Sequence, residues 1–279
     1  MNKLSLDRQA QVIRVLCEGN SIRSTARITG TAINTVVKLL KEVGDACAKY
    51  QDIHLRNLPC RTIQCDEIWS FCYAKQKNVP EDKQGKIGYG DVWTWTALDA
   101  DTKLICSWLV GRRTVEFAFA FIRDLQHRLA NRVQLTTDGY KPYLTVVEDI
   151  FGADIDYAVL VKLYGTEPKG EARYSPAKCL GTNSRVVTGH PDTSKISTSY
   201  AERQNLTMRM QMRRFTRLTN AFSKKLANHM AAIALYFMHY NFVRPHKALA
   251  DPYPTTPAMV ARVSDHIWTF EEIIKLKQV

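Results

Sequence analysis

The sequence predicts an α/β domain built on a mixed sheet flanked by helices, with a small all-α unit before it and a helical tail after it. Three observations lead there. Residues 61–110 are dominated by short runs of β-forming side chains joined by turn residues, and helical and strand patterns then alternate as far as residue 163. Hairpin-joined strands followed by such alternation give a sheet with both antiparallel and crossover connections. Residues 4–43, 222–240 and 265–277 show only helical spacing. The expected organisation is 1–45 as an amino-terminal helical domain, 46–60 as a linker that is either helical or loose, 61–243 as the main domain and 244–279 as a helical tail.

A chain of 279 residues can bury a full hydrophobic core. Its hydrophobic fraction of 45% argues against bulk disorder. The 39 lysines and arginines exceed the 27 acids, giving a formal charge of +12 that favours a polyanionic partner, most simply nucleic acid. The seven cysteines contain no CxxC pair, which argues against a zinc site or a disulfide framework and for a reducing cytosol. No basic segment followed by an apolar stretch opens the chain. Its most apolar region, 226–243, is interrupted by Asn228, His229, His239 and Asn241, so it reads as a buried helix and not a membrane span.

In the amino-terminal unit, Leu6, Ala10, Ile13 and Leu16 or Cys17 recur at helical spacing, and Gly19-Asn20 ends that helix. Ser21 caps a second short helix. Gly30 supplies a turn, and Thr31 starts a third helix with Ile33, Val36, Val37 and Leu40 facing inward. Two short helices around a glycine-bearing turn form a helix-turn-helix pattern. In such a motif the second helix enters the major groove, which assigns Thr31, Ala32, Asn34, Thr35 and Lys38 to base edges and Arg23 and Arg27 to phosphates. The alternative is a helical cap or dimerisation unit.

Residues 61–74 form the first strand, interrupted by Asp66 and Glu67, which must point to opposite faces. A carboxylate buried there needs compensation, and a metal ion would supply it; an edge strand with solvated acids is the other reading. Residues 75–90 are a polar loop. Strands 92–97 and 104–110 form a hairpin whose turn holds Asp99 and Asp101, and Trp93, Trp95 and Trp108 pack the sheet. A helix over 115–129 precedes a strand over 132–137, and Asp138-Gly139 sits at its carboxyl end, where ligands gather in open α/β sheets. Asp138 is equally placed to act as a loop cap. After a helix over 142–151 and a strand over 156–163, residues 164–198 read as one long loop, rich in Gly, Pro, Ser, Thr and Lys. This element order resembles the RNase H-like fold.

A helix over 197–217 brings Glu202, Asn205, Arg209 and Arg213 to one face by three- and four-residue steps. Glu202 also closes an S-x-x-E capping box with Ser199. Two acids on strands and one on a later helix suit a pair of divalent cations, about 3.5–4 Å apart, in phosphoryl displacement. The blocks CDEIWSF (65–71), TTDGYKPY (136–143) and YAERQNLTMRMQMRRFTRLTNAFSKK (200–225) resemble those of bacterial DDE transposases, closest to the insertion sequence one family. YNFVRPHKAL (240–249) is similar to a tail motif of insertion-sequence transposases.

By that resemblance, Asp66, Asp138 and Glu202 are the catalytic and metal-binding triad of an RNase H-like domain. Arg203, Asn205, Arg209 and Arg213 line DNA beside it. Two Mg²⁺ or Mn²⁺ ions are the implied cofactor. Double-stranded DNA, both element ends and target, is the implied partner of at least a dimer, in the cytoplasm at the nucleoid. The zinc module common upstream in that family is not apparent here, which leaves recognition of ends to the helix-turn-helix. The reaction implied is phosphodiester hydrolysis followed by 3′-hydroxyl strand transfer. An RNase H-like nuclease without strand transfer, or a DNA-binding regulator derived from a transposase, are the alternatives. In the tail, Arg244, His246 and Lys247 either contact phosphate or form a solvated turn, and 265–277 forms an amphipathic helix.

Overall fold

The computed structural model describes residues 4–165, 179–216, 220–249 and 253–278. Among these, one six-stranded sheet has the order β3-β2-β1-β4-β5-β6. The amino-terminal helices α1 (Leu6–Cys17), α2 (Ile22–Thr29) and α3 (Ile33–His54) come first. Ser21 caps α2 through the Ser24 amide at 3.1 Å, and Gly30 closes it at φ 60, a left-handed conformation that favours glycine. The helix-turn-helix spacing is thus present. However, α3 runs on to His54 through most of the segment expected to be a linker, because Val43, Cys47 and Gln51 continue its apolar stripe. Ile33, expected inside, is 48% exposed at the start of α3, whereas Val36 and Leu40 are buried.

Strand β1 (Thr62–Cys72) pairs antiparallel with β2 (Gly90–Asp99), which pairs antiparallel with β3 (Ile105–Gly111). Helix α4 (Val115–Gln126) carries the chain across to β4 (Gln134–Thr137), which lies parallel to β1. Helix α5 (Pro142–Phe151) leads to β5 (Asp156–Tyr164), parallel to β4. The segment expected to be one loop contains a sixth strand, β6 (Cys179–Thr188), antiparallel to β5. It lies on the sheet edge, and nearly all of its side chains are exposed. Its polar composition hides it from a hydrophobic-periodicity reading, because pairing rather than burial defines it. Residues 166–178 of the expected loop lie outside the described residues.

Helix α6 (Ser199–Gln211) is shorter than expected. Met212 turns extended at φ −122 and ψ 105, and a single 3₁₀ turn, Arg213–Phe215, follows. The apolar helix α7 (Leu226–Met238) passes into a π turn over His239–Val243. Met230, expected in the core, is 40% exposed. Asn241 is fully buried and pairs with the Ile105 backbone on β3, accepting from its amide at 3.0 Å and donating to its carbonyl at 3.1 Å. Part of the tail motif is therefore a structural clamp on the free edge of the sheet. The tail ends in α8 (Pro257–Val260) and α9 (Phe270–Lys275), and α9 packs on α1 and α3 of the same chain. No helix among the described residues is long and apolar enough to cross a membrane.

One hydrophobic cluster runs from Ala10 on α1 through the sheet to Ile274 on α9. The junction between the amino-terminal helices and the sheet domain is the crossing of α3 and α7. Gly44 makes it possible, since a Cβ added there would lie 2.2 Å from the Ala231 carbonyl oxygen. Substituting Gly44→Ala must part the two helices, with an expected cost of about 1–3 kcal/mol in urea denaturation. Gly181→Ala on β6, where an added Cβ meets nothing within 4 Å, is the control and should change stability by less than about 0.5 kcal/mol.

Candidate active site

The site begins with register. Gln64 on β1 pairs with Thr136 on β4. The strands run parallel, so two residues further on Asp66 comes alongside Asp138, just past the end of β4. Asp66 faces α6 and Glu67 faces α5, as alternation requires. Yet oxygens of Asp66, Glu67 and Asp138 all lie within 4.8 Å of one another. This acidic trio opens into a cleft of about 860 Å³ that is also lined by Glu202, Asn205, Arg209, Lys141 and Lys162.

Each carboxylate is held differently. Asp66 accepts from the Glu67 amide at 2.9 Å and from Asn205 Nδ2 at 2.8 Å. Glu67 accepts from the buried Tyr143 hydroxyl and from Arg113 Nε at 3.0 Å. Arg113 reaches on to Asp138 at 3.4 Å, with its guanidinium over the Tyr140 ring at 4.0 Å. Asp138 also accepts from the Tyr140 amide at 2.9 Å. Glu202 accepts from Thr198 Oγ1 at 2.7 Å and is ion-paired with Lys162. It lines the same cleft but lies outside the tight trio.

Crowding has an electrostatic consequence. Burial first, then the neighbouring Asp138 and Glu202 charges, push Asp66 up from 3.8 to about 6, although the Glu67 amide and Asn205 favour its anion. Burial and Asp138 likewise push Glu67 up to about 7, against the opposing pull of Tyr143 and Arg113. Acids that resist ionisation together are a fit for a divalent cation, which prefers oxygen ligands. A second observation agrees: Asn205 Oδ1, beside Asp66, is buried with no hydrogen-bond partner.

The sequence-predicted residues fall into three places. Asp66, Asp138 and Glu202 line one cleft, together with Arg209. Asn205 lines it too, but it is 4% exposed and positions Asp66, so it does not present itself to DNA as expected. Arg203 is exposed on α6. Arg213 leaves the expected face because α6 ends at Gln211; it lines a different cleft with Arg23 and Arg27. At the start of α3, Asn34, Thr35 and Lys38 are exposed, whereas Thr31 is buried against the α2 turn, so it does not face a groove as expected.

The expected capping box does not form either. Glu202 turns to Thr198, and the first turn of α6 is capped from outside by Gln64 Oε1, which accepts from the Tyr200 and Ala201 amides at 2.8 and 3.2 Å. Gln64, Glu67, Arg113, Tyr143 and Lys162 carried no site assignment in the sequence. Only Glu67 left a trace there, as an acid beside an acid in a strand.

The sequence matches no protein-family model. No curated protein matches it. Among solved structures the chain is similar to a piggyBac transposase, from a cryo-EM structure of its synaptic complex with hairpin DNA. The identity is 10%, over 97% of this chain and 73% of that one, with a TM-score of 0.41. So loose a likeness carries no weight for function.

The raised acids make stability depend on pH with a defined sign. Asp66 ionises at lower pH in the unfolded chain than in the fold, so metal-free protein loses stability as pH rises from about 4 through 6. Asp66→Asn removes that loss. In denaturant melts with a chelator, the variant should gain on wild type across this window, approaching about 2–3 kcal/mol above pH 7. Added Mg²⁺ should stabilise wild type more at pH 8 than at pH 5, and Asp66→Asn little at either.

Proposed function

We propose that this protein is a DNA transposase with an RNase H-like catalytic domain, which hydrolyses a phosphodiester at element ends and joins the freed 3′-hydroxyl to target DNA. The observation that carries the reading is the convergence of Asp66, Asp138 and Glu202, from three separated sequence blocks, on one cleft beside the middle of β1 and the carboxyl end of β4. The sheet order, with three antiparallel strands continuing into two parallel ones, supports the RNase H-like assignment. The charge of +12 supports a DNA partner.

Asp66, Asp138 and Glu202 would hold two Mg²⁺ or Mn²⁺ ions, which when bound supply charge stabilisation to the attacking and leaving oxygens of an in-line displacement. The chain's own residues prepare that site. Asn205 and the Glu67 amide fix the Asp66 carboxylate. Arg113 ties Asp138 to Glu67 and limits the repulsion between them. Lys162 holds Glu202 in the cleft. Arg209 and Lys141 line the same cleft, suited to the phosphates flanking the bond that breaks. Around this centre, Asn34, Thr35 and Lys38 would read the element ends, and Arg203 would hold backbone. The working form is at least a dimer on paired ends, in the cytoplasm at the nucleoid.

A second ligand assignment is favoured by the tight grouping of Asp66, Glu67 and Asp138, with Glu67 in place of Glu202. The two separate by mutation. Asp66→Asn, Asp138→Asn and Glu202→Gln should each lower cleavage of an element-end duplex by at least about a hundredfold while DNA binding persists. Glu67→Gln should lower it less, through a looser Arg113. Full strand transfer by Asp66→Asn or Asp138→Asn overturns the reading, whereas a silent Glu202→Gln beside a dead Glu67→Gln transfers the ligand role to Glu67. Cleaved ends without joined products would leave a nuclease.

A further inference from the structure

A second cleft, of about 850 Å³, lies between the α1–α2 turn, the start of α3 and the chain that follows α6. Among the described residues, Arg23, Arg27, Arg213, Arg214 and Lys224 line it, and no carboxylate does. None of the five is ion-paired to a carboxylate among the described residues. Arg214 is the telling member. It is only partly exposed, and the partners of its guanidinium are neutral: Ser223 Oγ at 2.8 Å and the Asn228 carbonyl at 3.1 Å. Burial pulls it down to about 10, opposed only by the neighbouring Cys72 thiol and by no carboxylate. Apolar side chains also line the cleft, among them Leu16, Ile33, Val37 and Phe222. Phe222 is stacked on Phe71, with ring centroids 5.0 Å apart, and so offers a fixed aromatic edge.

We infer that this cleft binds an unpaired stretch of DNA strand, with phosphates on the arginines and a base against the apolar side chains. A groove that only tracked duplex backbone would need cations on a polar, open surface. Cations beside apolar and aromatic side chains are what single strands require, since each unpaired base must bury a face. The placement is also functional. Helix α6 connects the two clefts, with Glu202, Asn205 and Arg209 in the acidic one and Gln211 through Arg214 in the cationic one. Gln211 lies nine helical steps beyond Glu202, about 14 Å along the axis. A strand cut or joined at the carboxylates can therefore be gripped a short way along by the same helix and by Arg23 and Arg27 of α2. This inference rests on the proposal that the substrate is DNA; it adds that part of that DNA is held unpaired.

The test is fluorescence anisotropy in chelator, so that the acidic cleft contributes no cation-mediated binding. The probes are a fluorescein-labelled thymidine oligonucleotide and a duplex of equal length. Arg27→Ala/Arg213→Ala should weaken single-strand binding about tenfold or more and duplex binding less than threefold, and should flatten the single-strand salt slope by about 1.4. Both side chains are exposed, so the fold should survive, and an unchanged thermal melt checks that. Arg23→Glu is the second variant and should act in the same direction. Unchanged single-strand affinity overturns the inference, and so does equal loss on both probes, which would make the cleft an ordinary backbone contact. Wild type that binds neither probe would instead remove the DNA reading beneath it, so the two failures are distinct.

Discussion

The grip of β1 on α6 is the interaction on which the rest of the site depends. Gln64 and Asp66 are two residues apart and so project from the same face of the strand. Gln64 accepts from the first amides of α6, and Asp66 accepts from Asn205 about one turn later. Two contacts at that spacing fix both the position of the helix along the strand and its rotation. Glu202 lies between them in sequence, so its place in the cleft follows from theirs. Without the buried Gln64 side chain, the Tyr200 and Ala201 amides would lose their acceptor inside the protein. The cap is thus also the restraint that brings a residue 136 positions away to the strand carrying the first acid.

The second constraint is the mutual repulsion of the acids. Four carboxylates line one cleft, and two of them are driven up toward neutral pH by burial and by each other. The fold tolerates this through placed cations. Arg113 lies between Glu67 and Asp138, and Lys162 holds Glu202. Compensation is local and incomplete, which is the condition under which an added cation gains most. A site with every carboxylate fully paired would have no affinity left to give.

How much of this was legible in the sequence varies by the kind of signal. The amphipathic helices and aromatic strands were legible because burial writes a period into the residues. The meeting of residues 66, 138 and 202 was legible through the resemblance of their blocks, not through spacing. The end of α6 was not: Glu202, Asn205, Arg209 and Arg213 fit a helical face, and nothing local marks the extended Met212 that sends Arg213 elsewhere. Strand β6 escaped because an exposed edge strand has no buried face to impose alternation. The length of α3 was open, since residues 45–59 fit a helical or a loose connector, and packing on α7 decides for the helix as far as His54. Gln64 and Arg113 left no trace, since their partners lie far along the chain and only the tertiary fold brings them together.

The early end of α6 has a physical logic of its own. Had the helix continued, Arg213 would have stacked above Arg209 on the acidic cleft, adding one more cation to carboxylates already served by Arg113 and Lys162. By breaking at Met212, the chain places Arg213 and Arg214 in the second cleft, with Arg23 and Arg27. Charge of one sign is thereby separated from charge of the other along a single short element. The acidic cleft keeps its capacity for cations, and the cationic cleft keeps its capacity for phosphate. Because α3 is locked against α7 at Gly44 and Ala231, the arginines of α2 are held at a fixed distance from those that follow α6. The amino-terminal helices therefore form one wall of a groove, and their packing onto the sheet domain is what makes that groove rigid.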